Sequence, residues 1–328
     1  MRYSASEKAE IIGLVEGSSL SVKQTLDRLD IRRSTFYNWL KRYQAGGLDA
    51  LKDKKPAPRA VWNKISPEHR KAVMELALDQ PALSSRELAV RYTDEQGYYI
   101  SESSVYRLLK EQDLITSPTY ILMEAADTFQ HPTRRVNEMW QTDFTYFKVM
   151  GWGWYYLSTV LDDYSRFIVS WRLCTSMGAD DVAKTLDDAL ACTGLDRVKV
   201  RHKPRLLSDN GPCYISAQLS AYLQDQGMTH TRGKPYHPQT QGKIERWHRT
   251  MKNQLLLNNH FFPEELEEQI CCFVTYYNHE RYHESLNNVT PADVYYGRAD
   301  DILAQRQLIK QQTLAMRLKT HYDNRTNG

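Results

Sequence analysis

Leu206-Leu207-Ser208-Asp209-Asn210-Gly211 and, further on, Tyr236-His237-Pro238-Gln239-Thr240-Gln241-Gly242-Lys243-Ile244-Glu245-Arg246 decide how this chain is read. The first segment is a short apolar run, the mark of a buried strand, and it ends on a turn-forming Asp-Asn-Gly. The second opens a pattern in which Ile244, Trp247, Met251 and Leu255 recur at helical spacing. One carboxylate therefore closes a strand and another opens a helix, with 35 residues between Asp209 and Glu245. A third candidate, Asp143, lies in Trp140-Gln141-Thr142-Asp143-Phe144-Thr145, an aromatic strand where Asp is disfavoured and unpaired burial is costly. Two or three carboxylates drawn together without a surplus of Lys form a hard-cation site, of the kind that holds Mg²⁺ for phosphoryl transfer.

Each carboxylate also has a plainer reading. Asp209 is a turn residue in Asp-Asn-Gly, and Glu245 is a solvated helix residue with Arg249 four positions on. Asp162 and Asp163 compete with Asp143, but both fall in the turn Asp162-Asp163-Tyr164-Ser165 between two strands and are read as turn residues.

At 328 residues the chain is long enough for two or three domains. Its 41% hydrophobic and 25% charged content is that of an ordinary soluble protein. It contains no apolar run of about 18 residues. Its N-terminus lacks the apolar core of a signal peptide, so a cytoplasmic location without membrane contact is expected. Five scattered cysteines, without a CxxC pair, read as reduced and mostly buried thiols, with no zinc site. The net charge of +3 is uneven: residues 1–60 hold 12 Lys/Arg against 7 Asp/Glu, while residues 61–130 hold 7 against 11. Residues 131–300 hold 19 against 20, and residues 301–328 hold 5 against 2. Basic ends around a near-neutral centre fit contact with a polyanion by the ends and carboxylate chemistry in the middle.

Residues 6–43 read as three helices. Ala9, Ile12, Leu14 and Val15 form the apolar face of the first, Gly17 ends it, and Ser21 caps the second. After Asp30-Ile31-Arg32-Arg33 comes a basic, aromatic-rich helix, and Gly46-Gly47 stops it. This is a helix-turn-helix pattern, with Phe36, Trp39 and Leu40 inward. Arg32, Arg33, Ser34, Thr35 and Asn38 face a DNA groove, with Lys41 and Arg42 near phosphates. A plain three-helix unit with a solvated basic face is the competing reading. Base contacts occur on the early turns of such a third helix, where these polar residues cluster.

A basic, Pro-interrupted linker (51–64) leads to a second set of three helices. Their starts are marked by Ser66-Pro67, the capping box Ser84-Ser85-Arg86-Glu87, and Ser101. This is a second helix-turn-helix candidate, but its acidic balance makes protein contact the competitor. From Trp140 the period changes. Three strands (from 139, 152 and 166), a helix over Ala179–Cys192, the strand Leu206–Ser208, a helix over Ser216–Gln226, a short strand and a long helix from Gly242 make an α/β domain with a mixed sheet.

In these residues the chain resembles the bacterial insertion-sequence DDE transposases, whose catalytic core is of the retroviral-integrase, ribonuclease-H-like type. The resemblance rests on Trp140-Gln-Thr-Asp143, Ser208-Asp209-Asn-Gly211 and His237-Pro-Gln-Thr-Gln-Gly-Lys-Ile-Glu245-Arg246, in that order and spacing. Tyr277-Asn278-His-Glu-Arg281-Tyr-His283 and Thr290-Pro291-Ala292 look like the same family's C-terminal pattern. It covers about residues 140–298 and implies that Asp143, Asp209 and Glu245 are catalytic and bind two Mg²⁺ ions, with Mn²⁺ as a substitute. It further implies cleavage at transposon ends and strand transfer into target double-stranded DNA, by a homo-oligomer (a dimer or larger) on DNA. His237, Gln239, Lys243, Arg246, Arg249 and Lys252 are the candidates for holding that DNA near the scissile phosphate; solvated bases on a helix face are the alternative. The implied organisation is multidomain: all-α helix-turn-helix units (1–50 and 65–113), a connector (114–135), an α/β ribonuclease-H-like core with a mixed sheet (136–298) and a helical tail (299–328). The chain departs from the family's retroviral branch in having neither His nor Cys in residues 1–68, so no zinc unit is implied, and no sustained heptad marks a leucine zipper. A DNA-binding regulator or domesticated protein whose core only scaffolds assembly is the reading from another class. A ribonuclease-H-type nuclease without strand transfer is the other enzymatic one.

Overall fold

The computed structural model describes residues 3–18, 20–52, 61–112, 114, 133–197, 203–233, 242–256 and 260–326. Residues 1–64 with 321–328 form one compact unit, and residues 65–320 another.

In the first unit, α1 (Ala5–Glu16) starts at a capping box in which Ser4 and Glu7 satisfy each other's backbone N–H groups, and Gly17 ends it. α2 (Val22–Arg28) is capped the same way by Ser21 and Gln24. α3 (Arg33–Leu51) completes the helix-turn-helix. Ile11, Ile12, Val15, Leu26, Ile31, Phe36, Trp39 and Leu51 form the shared core. Leu14, expected inward, is 54% exposed, because the buried stripe of α1 runs one residue earlier through Ile11. Gly46 and Gly47 break the helix as expected, with Gly47 at φ 62°, but a helical turn resumes after them and carries Leu51 into the core.

The second unit opens with α4 (Pro67–Asp79), α5 (Ser85–Gln96) and α6 (Glu102–Glu111), which close over Val73, Leu88, Tyr92, Val105 and Leu109. Ser66 caps α4, and Ser84 with Glu87 forms the expected capping box on α5.

Five strands make the sheet that follows: β1 (Met139–Val149), β2 (Gly153–Asp162), β3 (Ile168–Cys174), β4 (Arg205–Ser208) and β5 (His230–Arg232), in the order β3-β2-β1-β4-β5. β1 to β3 meander antiparallel, while β4 runs parallel to β1 and β5 to β4, so the sheet is mixed as the sequence predicts. Alternation along β1 divides its side chains between two covered faces. Trp140 packs with α7 (Ala179–Thr193) and α8 (Ala217–Asp225), whereas Phe147 and Val149 pack with α9 (Gly242–Leu255) and α10 (Pro263–His279). Asn278, on the last turn of α10, accepts from the Ile168 N–H at 2.9 Å and donates to the Ile168 carbonyl at 3.0 Å, tying the helix to the edge strand β3.

α11 (Pro291–Tyr295) and α12 (Ala299–Thr326) end the chain. Within this unit α12 is fastened to the second helical set: Arg306 holds Asp94 through two bonds of 2.7 and 2.6 Å, and Arg317 donates to the Tyr98 hydroxyl at 2.8 Å. The surface of α5 that carries Arg86 and Asp94 is thus engaged inside the protein, with Asn288 and with Arg306 respectively. All five cysteines are free thiols, but Cys192, Cys271 and Cys272 are exposed, against the expectation of mostly buried ones. They occupy helix faces turned away from the sheet. Among the described residues no helix is long and apolar enough to cross a membrane.

Candidate active site and nucleic-acid interface

Register brings the first two carboxylates together. β4 pairs in parallel with β1, Leu207 lying beside Gln141, so two residues further along Asp209 falls beside Asp143. Both lie on the sheet face that α9 covers. Asp209 follows the last residue of β4, and its Oδ1 accepts from the Gly211 N–H at 2.8 Å. A side chain at Gly211 would bring its Cβ to 3.0 Å from that oxygen, so the glycine of Asp-Asn-Gly keeps the turn open to the carboxylate. Asp209 reaches solvent, yet loss of water around its carboxylate raises its pKa above the ordinary value. The Gly211 hydrogen bond opposes the rise, and the charge of Asp143 adds to it.

Asp143 is held from two sides. Its Oδ1 accepts from the Phe144 N–H at 2.8 Å, and its Oδ2 lies 3.5 Å from His248 Nδ1 on α9. One turn on, Lys252 extends over the Tyr146 ring, 4.2 Å from its centroid. Burial lowers the Lys252 pKa and Asp143 partly restores it, which shows that the ammonium feels that carboxylate. Beneath the pair, on the opposite sheet face, the Tyr214 hydroxyl lies 3.5 Å from Thr142 Oγ1, and burial first and Asp143 second push its pKa well up.

The start of α9 is anchored by a buried polar network. Asp163, 2% exposed, accepts from Gln141 Nε2 at 2.7 Å, Thr133 Oγ1 at 2.6 Å and Lys243 Nζ at 2.7 Å. Gln141 Oε1 in turn accepts from the Ile244 N–H at 3.1 Å. Asp162 closes the turn by accepting from Asn137, from the Ser165 N–H and from the Ser165 hydroxyl. The turn reading therefore describes Asp162, while Asp163 has the further task of pinning α9 to β1. The sequence analysis missed this role, which only the partners of Asp163 in the folded chain reveal.

Glu245 lies on the exposed surface of α9, about one turn before His248 on the same side of the helix. The strand register sets Asp143 beside Asp209, and among the described residues no three His, Cys, Asp or Glu side chains form a group that could hold a metal ion. His237 and Gln239 lie outside the described residues. Lys243 is engaged by Asp163, and His248 is buried. Arg246 and Arg249 are exposed, and Lys252 is half-buried. On α3, Arg32, Arg33, Ser34, Thr35, Asn38 and Lys41 are all exposed along the early turns. Arg42 instead turns back to donate to the Ala50 carbonyl at 2.8 Å and the Lys52 carbonyl at 2.7 Å, closing the helix end.

Residues 133–238 match the family model described as Integrase core domain, and residues 226–291 match a second model of that description. Residues 7–59 match Helix-turn-helix domain, and residues 35–109 match Homeodomain-like domain. An integrase-type core behind helix-turn-helix domains is thus the class that fold and sequence define. Insertion-sequence transposases and retroviral Pol proteins are among the proteins this chain is similar to. Over 161 residues it is 29% identical to the transposase for insertion sequence element IS904 of Lactococcus lactis subsp. lactis (strain IL1403), covering 48% of this chain and 60% of that protein. Over 132 residues it is 35% identical to the Pol-related polyprotein of the mouse intracisternal A-particle MIA14, covering 40% of this chain and 14% of that protein. The chain therefore spans less than two thirds of the length of these relatives. A solved structure of the HTLV-2 integrase catalytic core domain in complex with magnesium is similar, with a TM-score of 0.39 and 20% identity, over 49% of this chain and 97% of that one.

Proposed function

We propose that the protein is a DNA transposase that binds the ends of its element through the helix-turn-helix units and performs metal-dependent cleavage and strand transfer at Asp143, Asp209 and Glu245. The observation that carries this reading is the pairing of Asp143 with Asp209 on one sheet face, where the charge of Asp143 opposes ionisation of Asp209. Such a pair lacks a counter-charge equal to its own and offers only hard oxygen donors, which is the donor set a divalent cation takes. Asp143, Asp209 and Glu245 would hold Mg²⁺, two ions with Mn²⁺ as substitute. When bound, the metal lowers the pKa of the attacking water or 3′-hydroxyl and offsets charge on the leaving 3′-oxygen.

The other roles fall to the chain itself. His248 and the Phe144 N–H fix the Asp143 carboxylate in orientation. Gln141, Asp163 and Lys243 hold the first turn of α9, and with it Glu245, against β1. Arg246 and Arg249, both exposed on α9, bind backbone phosphates, and Arg249 keeps the scissile one in line with its attacking oxygen. As one phosphorus–oxygen bond forms the other breaks, and the leaving oxygen takes up a proton. Residues 1–50 and 65–113 are assigned to DNA and partner binding, 51–64 and 114–135 to connection, 136–298 to catalysis and 299–328 to the tail. Two ends and a target make a dimer or larger assembly the working form.

The helix-turn-helix units favour a second reading, a DNA-binding scaffold without chemistry. Incubation of the full chain with Mg²⁺, labelled end DNA and a target plasmid decides between them. Nicked and joined products are expected, and Asp143→Asn, Asp209→Asn and Glu245→Gln should each lower the yield by at least about 100-fold. Unchanged yield in one variant removes that residue from the site. Absence of any product from the wild-type chain leaves the scaffold.

A further inference from the structure

On the flank of α9 away from Asp143 lies a pocket of about 120 Å³. Arg166, Arg246 and Arg281 line it, together with His283, Trp247 and Lys243, the last paired with Asp163. Helical geometry separates the two sites. Positions 243, 246 and 247 point to one flank of α9, and Glu245, His248 and Lys252 point about half a turn away. The motif Tyr277-Asn278-His-Glu-Arg281-Tyr-His283, which the active-site reading leaves without a task, supplies the far wall.

Several features fit the pocket to an anion. Arg166 reaches it from a left-handed backbone position, φ 66°, where the turn after β2 closes by a bond from its N–H to the Asp162 carbonyl at 2.8 Å. Such a conformation is uncommon for a long side chain and marks a position held by its surroundings. Burial raises the Tyr277 pKa to about 12 although Arg281, Arg166 and Arg246 all oppose the rise, so three guanidinium groups surround that phenol. Burial, then Arg281, Arg166 and Arg86, depress His283 to about 3, leaving a neutral imidazole among fixed positive charges. Trp247 is 1% exposed, and neither its indole N–H nor His283 Nε2 has a hydrogen-bond partner among the described residues. The volume admits a phosphate group but not a nucleobase with its sugar. Guanidinium groups bind the two free oxygens of a phosphodiester with paired hydrogen bonds.

We propose that this pocket receives one backbone phosphate of the bound DNA, on the far side of α9 from the phosphate undergoing reaction. This rests on the reading that the reacting phosphate lies at Asp143 and Asp209. A helix is about 10–12 Å across with its side chains, which corresponds to about three nucleotides at about 3.4 Å of rise per strand position. DNA crossing the solvent ridge of α9 over Arg249 is thereby gripped on both sides of the helix, and Arg281 and Arg166 set its register against the aspartates.

The test measures binding without chemistry. The full chain is titrated against a labelled random-sequence duplex of about 30 base pairs in EDTA over a range of salt, with thermal melting to verify folding of each variant. The double variant Arg246→Gln/Arg281→Gln should bind about tenfold more weakly near physiological salt, and its log–log salt slope should be shallower by about 0.9, the value of one phosphate contact. Arg281→Lys should retain most of the affinity, since it keeps the charge. Arg246→Gln alone, at an exposed position, should show part of the loss even if Arg281→Gln melts early. An unchanged slope and affinity in the folded double variant overturns the proposal. So does inorganic phosphate that protects the pocket at constant ionic strength while the variant binds DNA normally, because the site is then one for free phosphate. Failure of the catalytic reading looks different: Asp143→Asn would leave cleavage intact while the Arg246/Arg281 binding loss persisted.

Discussion

Asp143 and Asp209 face each other across a parallel strand pair, and their chemistry follows from that closeness. Asp209 is pushed upward mainly by desolvation and further by Asp143. A carboxylate whose folded pKa exceeds its unfolded value favours the fold while protonated; that contribution is present at low pH and lost as pH rises through the folded value. In EDTA at neutral pH, Asp209→Asn should therefore melt slightly higher than wild type, and the difference should vanish below the carboxylate range. Asp143→Asn should also lower the pKa of Asp209, read by carboxyl NMR titration, though only in part because burial remains; no movement at all would mean the two do not interact. The cysteines offer a simpler check of residue environments. Cys192, Cys271 and Cys272 should react rapidly with a thiol reagent in the folded protein, and Cys174, whose thiol burial pushes up to about 11, should react only on unfolding.

At the scale of elements, α9 is the member that joins the chemistry. Its apolar stripe of Ile244, Trp247, Met251 and Leu255 fills the core under β1, and every one of these is buried. The stripe fixes the helix rotation, which turns one flank toward Asp143 and the other toward Arg281. Rotation alone does not set where along β1 the helix begins; the Gln141–Asp163–Lys243 network does that. Asp163→Ala leaves the Lys243 ammonium largely buried without its carboxylate and should cost about 3–5 kcal/mol, measured by urea unfolding. A cost under about 1 kcal/mol, typical of exposed pairs, would show that the network is solvated. Loss of activity should accompany the loss of stability, because Glu245 rides on the same turn.

Across the whole molecule, the proposed function divides recognition, by the helix-turn-helix of α1–α3, from reaction, by the integrase core. The exposed side chains of Arg33 and Asn38 lie on the early turns of α3, where groove contacts are made. Arg33→Ala with Asn38→Ala should weaken binding to the element's ends more than to random duplex, with each lost base contact worth about 1–3 kcal/mol. Equal loss on both DNAs would reduce these residues to phosphate contacts. The second helical set, α4–α6, is tied by Asp94, Tyr98 and Arg86 to α12 and to the end of the core, so its acidic surface has an internal partner.

Much of this was legible in the sequence because its signals are local. Caps at Ser4, Ser21, Ser66 and Ser84, the change of period at Trp140, and the stripe on α9 depend on neighbours within a turn or a strand. Motifs and spacing single out the two aspartates and the glutamate as candidates. Tertiary structure alone decided which groups meet. The register of β4 on β1 brings Asp209 to Asp143, and the packing of α9 sends His248 inward to Asp143 and Lys243 to Asp163. It also gathers Arg166 from the turn after β2 and Arg281 from the end of α10 into one pocket. Those pairings depend on contacts between residues 66 to more than 100 positions apart, and a linear pattern carries no term for the distance between segments that only a folded sheet brings side by side.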